Sequence, residues 1–467
     1  MITTHPVTDY RTDLLNYFKT RERFRADPYF DPKNVVTIGY GFNIQIQSNN
    51  VLLLTLNQLG LFAGKSDAQI QNIHTDFLQT IRNAPKGDEA TLISRLNTKL
   101  REYLGSNTST LFMLNTTQAA TIFNQILGGT TIGQSISVTG FESTLDAILG
   151  NSLTHNSKEY MAVMSLYYNA PTRVTQNRTL VNAIKSGNRT EAWFQVRYES
   201  NPQSDPQSSL FDPNIAHGIA NRRYEESNFF GLYDGATGFP TSVQDAVDVV
   251  RMFRRNQSAI EAYEGSFSPA RVAQGIISEQ ISPAFGFLIT SLGLSGSLEQ
   301  VYVALDVLTG GDPIQGTEKA DLLLGASGHD ILIGGAGSDV LRGGAGKDVY
   351  VYNSGDGNDI IVDNQADGLA SGDGGDGLGA IVYDDHVLGG GIKKSGQSDY
   401  KSLDDTFTYQ WSGTPGADLT ITGPGGTLTV KAFSSGDLGI TLSDAPDVTT
   451  DFGAATRTAY TKVDHYD

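Results

Sequence analysis

Apolar side chains recur at helical spacing in short runs through the first half of the chain. Leu14, Leu15 and Phe18 line one face of a stretch over 11–23, and the same period predicts helices over 68–83, 89–103, 116–127, 157–169, 179–186, 189–199 and 218–230. One interruption has a different rhythm. Between Tyr29 and Gly41 an Asp31-Pro32-Lys33-Asn34 turn joins two β-prone stretches, the second being Val35-Val36-Thr37-Ile38, which predicts a hairpin. The first region should be mainly α with one small sheet.

A breaker-rich run from Asp234 to Pro240 sets a boundary. Beyond it 241–308 reads as helical again, with Val243, Val247, Val250 and Phe253 on one side. Gln280 to Glu299 is weakly charged but broken by Pro283 and several glycines, which fits a buried helical segment better than a membrane span. From Leu308 onward Gly, Asp and β-branched residues replace the helical period, an all-β composition. The expected architecture is multidomain: a mainly α (α+β) domain over 1–235, a helical linker or spacer over 236–310, and an all-β region over 311–467.

Charge sharpens that division. Residues 1–235 hold 20 basic and 20 acidic side chains, and the remainder holds 13 and 31, so the net charge of −18 lies in the C-terminal half. Such segregation offers no basic stripe to phosphates and argues against nucleic acid. It argues for a cation. The absence of cysteine excludes disulfides, thiolate zinc sites and a Cys nucleophile. The opening 25 residues are polar and then amphipathic, not charged and then apolar, so no N-terminal signal peptide is expected.

The acids of the second half are periodic. From Gly316 the chain reads GTEKADLLL, GASGHDILI, GGAGSDVLR, GGAGKDVYV, with Asp321, Asp330, Asp339 and Asp348 nine apart and Leu323, Leu332, Leu341 and Tyr350 in the same register. A Gly-rich turn, a fixed Asp and an apolar residue two later make a solenoid signature. Glycine allows the left-handed turn, the next residues form a short strand with one side chain in the core, and Asp beside turn carbonyls suits calcium. If strands alternate between two sides, Asp321 shares a side with Asp339, and Asp330 with Asp348.

These repeats resemble the RTX family of calcium-dependent secreted bacterial proteins, which implies a parallel β-roll and export through a type I channel to the exterior. Tyr350 to Asp359 resembles that family's closing turn, adding Asp359 to the metal candidates, and Phe433 to Ile440 resembles a capping β-module. The first repeat departs from the pattern at Thr317 and Lys319, which predicts a cap with weak or no metal binding. Asp373 and Asp376 lie in another Gly-rich stretch, either a plain loop or a further site.

Glycoside hydrolysis needs one protonated carboxyl and a second group that holds or activates water. Glu22, at the end of the first helix, and Asp31, at the hairpin turn, could face each other across a cleft, with Thr37 on the returning strand. Helix-end acids are also commonly just solvated. The stretch from Glu22 to Asp31, followed by Thr37-Ile38-Gly39-Tyr40-Gly41, resembles the phage-type lysozymes, or endolysins, whose pattern is Glu, eight residues, Asp, five residues, Thr-Ile-Gly-x-Gly. Tyr160 to Asn169 is similar to that family's central helix, and Gly218 to Arg223 followed by Glu226 to its closing helix. The resemblance spans about 10–233 and is weak over 45–112, where an insertion is expected.

That resemblance implies a muramidase acting on peptidoglycan with inversion: Glu22 as general acid, Asp31 positioning or activating the water, Thr37 holding it. It implies that either Arg222 or Arg223 hydrogen-bonds Glu22. An immunity protein is then a partner to consider. Relatives often carry His after the second glycine, whereas Phe42 and Asn43 follow Gly41 here, which leaves the anchoring of the hairpin open. Two other classes remain, a peptidoglycan-binding surface protein and a membrane-lytic toxin. The first has no need of all three site residues, and the second calls for long apolar helices.

Overall fold

The computed structural model describes residues 2–31, 33–45, 50–201, 212–267, 276–291, 301–305, 313–325, 329–363 and 376–445. The chain divides into two compact units, Met1–Thr241 with Asp248–Ala284, and Ser242–Val247 with Phe285–Asp467. The stretch 236–310, expected as a separate linker, is thus shared between them.

In the first unit, Asp9 starts the helix Tyr10–Arg21 by accepting the Arg11 and Thr12 amides, and Tyr10, Leu14, Leu15 and Phe18 form its buried face. The helix ends at Glu22, whose N–H donates to Phe18 O at 2.7 Å while its own backbone is already extended. The chain therefore passes directly into the strand Arg25–Phe30, which pairs antiparallel with Val36–Gly39, and Phe42–Asn43 adds a third strand. The helix Lys158–Asn169 is buried from Glu159 to Tyr167 and packs against both the first helix and the closing helix Pro213–Phe230.

Buried ion pairs tie this unit together. Arg189 donates to Glu159 Oε1 at 3.0 Å, to Asp234 Oδ1 at 2.8 Å and to Phe230 O at 2.6 Å. Arg197 lies 3.6 Å from Glu264, which also accepts from Tyr198 OH at 3.0 Å and Tyr224 OH at 2.9 Å. Glu264 belongs to the helix Gln257–Phe267, so this contact explains why part of the expected linker packs with the first unit.

Most helices lie where the apolar period places them, but four expectations are corrected, the first being that of one small sheet: Thr130–Ile132 pairs antiparallel with Ile136–Val138 as a second. The segment 189–199 is not one α-helix: it is α over Arg189–Phe194 and a π-turn over Gln195–Glu199, whose Gln195 O accepts from Ser200 Oγ. Residues 301–305 are not helical: Val301–Leu305 is a strand in parallel register with Ala320–Leu324, in keeping with its Val-Tyr-Val sequence. The helix Val51–Gln58 was not expected, since Val51 to Leu56 are all buried and show no one-sided period. Among the described residues no helix is long and apolar enough to cross a membrane.

In the second unit successive repeat strands alternate between two sheets. Val301–Leu305, Ala320–Leu324, Val340–Arg342 and Asn358–Ile361 lie side by side in one, and Ile314–Gln315, Ile331–Ile333, Asp348–Tyr352 and Gly379–Tyr383 in the other, all parallel. Leu323, Leu332, Leu341 and Tyr350 meet in the core between them, each at most 1% exposed. The first sheet continues into an antiparallel cap, with Gly426–Phe433 parallel to Asn358–Ile361 and paired with Ala417–Gly423.

Candidate functional site

Glu22 stands at the junction of helix and hairpin. Its Oε1 accepts from Arg222 Nη2 at 2.5 Å, and Arg222 Nη1 donates to Asn169 Oδ1, also at 2.5 Å. Asn169 is held in turn, its Nδ2 donating to Ser165 O at 2.8 Å. The closing and central helices thereby fix the guanidinium that orients the acid. On the other side, a Cβ on Gly41 would stand 3.6 Å from Glu22 Oε2. Gly41 adopts φ +76°, a conformation that suits glycine, and this keeps the space beside the carboxylate open. The Tyr168 ring packs among Phe18, Phe123 and Phe141, and burial pushes its phenol up, with the charge of Glu22 adding to the rise.

Asp31 and Thr37 lie on the hairpin. Asp31 Oδ1 accepts the amides of Lys33 and Val35, both at 2.8 Å, so one carboxylate oxygen shapes the turn. Thr37 pairs with Tyr29 and Asn43 across the sheet, and its buried Oγ1 has no hydrogen-bond partner. A buried hydroxyl without a partner is costly, and a bound water would satisfy it. Phe42 is 1% exposed, and Asn43 Oδ1 accepts from the Gln45 amide at 2.9 Å. Gln45 Oε1 accepts from the Val36 amide at 3.1 Å, which anchors the hairpin without a histidine.

The two arginines separate. Arg222 bonds Glu22, whereas Arg223 is 2% exposed and pairs with Glu226 at 3.1 Å in the interior, so of the two expected candidates Arg222 is the one beside the acid. A single residue step along the helix explains this, since adjacent residues face about 100° apart. Asn169, which holds Arg222, was not singled out as a site residue. The Tyr-Asn pair ending the central helix was its only signal.

The second unit presents its aspartates in two rows. In one, Asp321 N–H donates to Asp339 Oδ1 at 2.7 Å and Asp339 N–H to Asp359 Oδ1 at 3.0 Å. In the other, Asp330 N–H donates to Asp348 Oδ1 at 2.8 Å. Each such bond uses one carboxylate oxygen to join neighbouring tiers. The second oxygens of Asp339, Asp348 and Asp359 are buried without a hydrogen-bond partner. Burial pushes Asp339 up to about 7, Asp348 to about 6 and Asp359 to about 8, and neighbouring aspartates add to the rise. Side chains on Gly334 and Gly343 would collide with the Asp339 and Asp348 carboxylates, so the turns form cradles that only glycine permits.

Buried anionic oxygen beside turn carbonyls is a donor set that fits calcium. Among the described residues no three acidic or histidine side chains converge on one point, so each site must draw on one or two carboxylates plus main-chain oxygens. Asp321 differs: its carboxylate accepts Thr317 Oγ1 at 3.1 Å and the Thr317 amide, so its own turn already satisfies it. Asp376 is described over the fourth turn, and Asp373 lies outside the described residues.

A family model for the RTX calcium-binding nonapeptide repeat matches residues 306–341, 315–350 and 324–361 in overlapping windows. No curated protein matches the chain. The repeats therefore bind calcium, with Asp321, Asp330, Asp339, Asp348 and Asp359 at the turn positions. The match covers none of the first unit.

Proposed function

We propose that the first unit is a muramidase, cutting the bond between N-acetylmuramic acid and N-acetylglucosamine in peptidoglycan, and that the calcium roll serves export and folding. The observation that carries this reading is the Glu22 carboxylate held by Arg222, which Asn169 holds in turn, beside the hairpin that bears Asp31 and Thr37. Glu22 donates the proton to the leaving glycosidic oxygen. The hydrogen bonds to Asp31 fall on Oδ1, leaving Oδ2 to take a proton from the attacking water, which the Thr37 hydroxyl holds. Attack by a held water gives inversion.

Calcium bound to the turns supplies positive charge to buried carboxylates. A chain whose roll assembles only with calcium can pass a channel unfolded and fold where calcium is abundant, which supports secretion by a type I route. The test of the enzymatic reading is mass spectrometry of purified peptidoglycan digested by the full chain and by Glu22→Gln. The expected result is new reducing ends at N-acetylmuramic acid from the native chain and none from the variant. Binding to the wall without cleavage would favour the surface-protein reading. Equal cleavage by both chains would remove Glu22 from its role.

A further inference from the structure

The two rows of turns end differently. One row carries aspartates in three successive tiers, Asp321, Asp339 and Asp359. The other has Asp330 and Asp348, and the next strand sets Gly379 opposite Asp348. No side chain fits there, because Gly379 has φ +123° and a Cβ would collide with the Asp348 main chain. Yet Asp348 is 0% exposed, and its Oδ2 has no partner.

A carboxylate reaches this tier from elsewhere. Asp376, three residues before Gly379 and beyond the matched repeats, accepts the Gly346 amide of the fourth turn on Oδ2 at 3.2 Å and the Leu378 amide on Oδ1 at 2.9 Å. Its charge acts on Asp348, together with that of Asp330. Each oxygen of Asp376 accepts a single amide, which leaves lone pairs for a cation.

We propose that Asp376 completes a calcium site between the fourth repeat turn and the 376–379 segment, with Asp348 Oδ2, the Asp376 carboxylate and main-chain carbonyls of the turn as ligands. A carbonyl-rich, flexible oxygen set favours calcium over magnesium, which demands a compact octahedron. Asp376 is exposed, so the site lies at the solvent edge of its row and is the weakest to fill. Its function is to close a row that the repeats leave open.

The experiment counts calcium bound per full-length chain by equilibrium dialysis, for the native protein, Asp376→Ala and Asp376→Asn. The expected result for Asp376→Ala is one ion fewer, with the tighter steps and the strand circular dichroism at saturating calcium unchanged. Asp376→Asn keeps an acceptor for one turn amide but removes the charge, and should weaken the same step by roughly tenfold or more. Native stoichiometry and titration in both variants would overturn the proposal. Loss of every calcium in both would also overturn it, by making Asp376 a determinant of the fold and not a ligand.

Discussion

In the first unit Arg189 meets Glu159 and Asp234, Arg197 meets Glu264, and Arg223 meets Glu226, so buried charge is neutralised by a side chain of opposite sign. In the roll Asp339, Asp348 and Asp359 are as deeply buried but accept only main-chain amides, and each keeps an oxygen without a partner. An uncompensated buried carboxylate opposes folding, whereas one answered by a cation does not. The first unit thus carries its counter-charges in its own sequence. The second takes them from calcium, and its excess of acids is the mark of that dependence.

The contrast can be broken at several points. The largest effect is expected at Glu22→Gln, which should cost about 10²–10⁴-fold in peptidoglycan hydrolysis while leaving melting of the first unit and calcium binding by the roll unchanged. Thr37→Ser keeps the hydroxyl, so digestion assays should show only a mild loss. Next comes Glu264→Ala, which strands Arg197 in the interior and should destabilise the first unit by about 3–5 kcal/mol in urea unfolding, with no change in calcium titration.

A smaller effect concerns pH. In metal-free protein the folded roll holds Asp339, Asp348 and Asp359 up at about 7, 6 and 8, above the ordinary carboxylate value of about 3.9. The folded state therefore binds protons more tightly than the unfolded one. Their contribution to stability is full below about pH 4 and is lost as pH rises through 6 to 8. In chelator, calorimetry should find a melting transition of the roll at pH 5, where protons neutralise these carboxylates, and lose it by pH 8. With calcium, affinity should rise over the same interval, because the ligands must lose protons. The smallest difference is between two repeats: Asp339→Ala should weaken the calcium response more than Asp321→Ala, since Thr317 already satisfies Asp321. Calcium titration followed by circular dichroism measures both.

Much of this was legible in order along the chain. The nine-residue spacing gives the alternation of sides directly, because one repeat is one strand and one turn, and the pairing of Asp321 with Asp339 and Asp330 with Asp348 follows. Amphipathic helices were legible for the same reason. Val51–Gln58 was not, since a helix buried on every side has no periodic signature. Nor was the strand Val301–Leu305, which precedes the repeats and takes its conformation from the ladder with Ala320–Leu324. At the candidate active site the motif marked Glu22, Asp31 and Thr37, but the choice between Arg222 and Arg223 depends on how the closing helix is rotated against the central one. That rotation is set by burial of Arg223 with Glu226, a tertiary fact that local pattern does not carry.

Hydrogen exchange of the full-length chain, followed by mass spectrometry in calcium and in chelator, tests the contrast between the units most directly. The account predicts that peptides from the helices Lys158–Asn169 and Pro213–Phe230 exchange equally slowly in both, while peptides from Ala320–Leu324 to Asn358–Ile361 are protected only with calcium. Equal protection of the repeat strands in chelator would contradict it, because the buried aspartates would then be tolerated without a counter-charge.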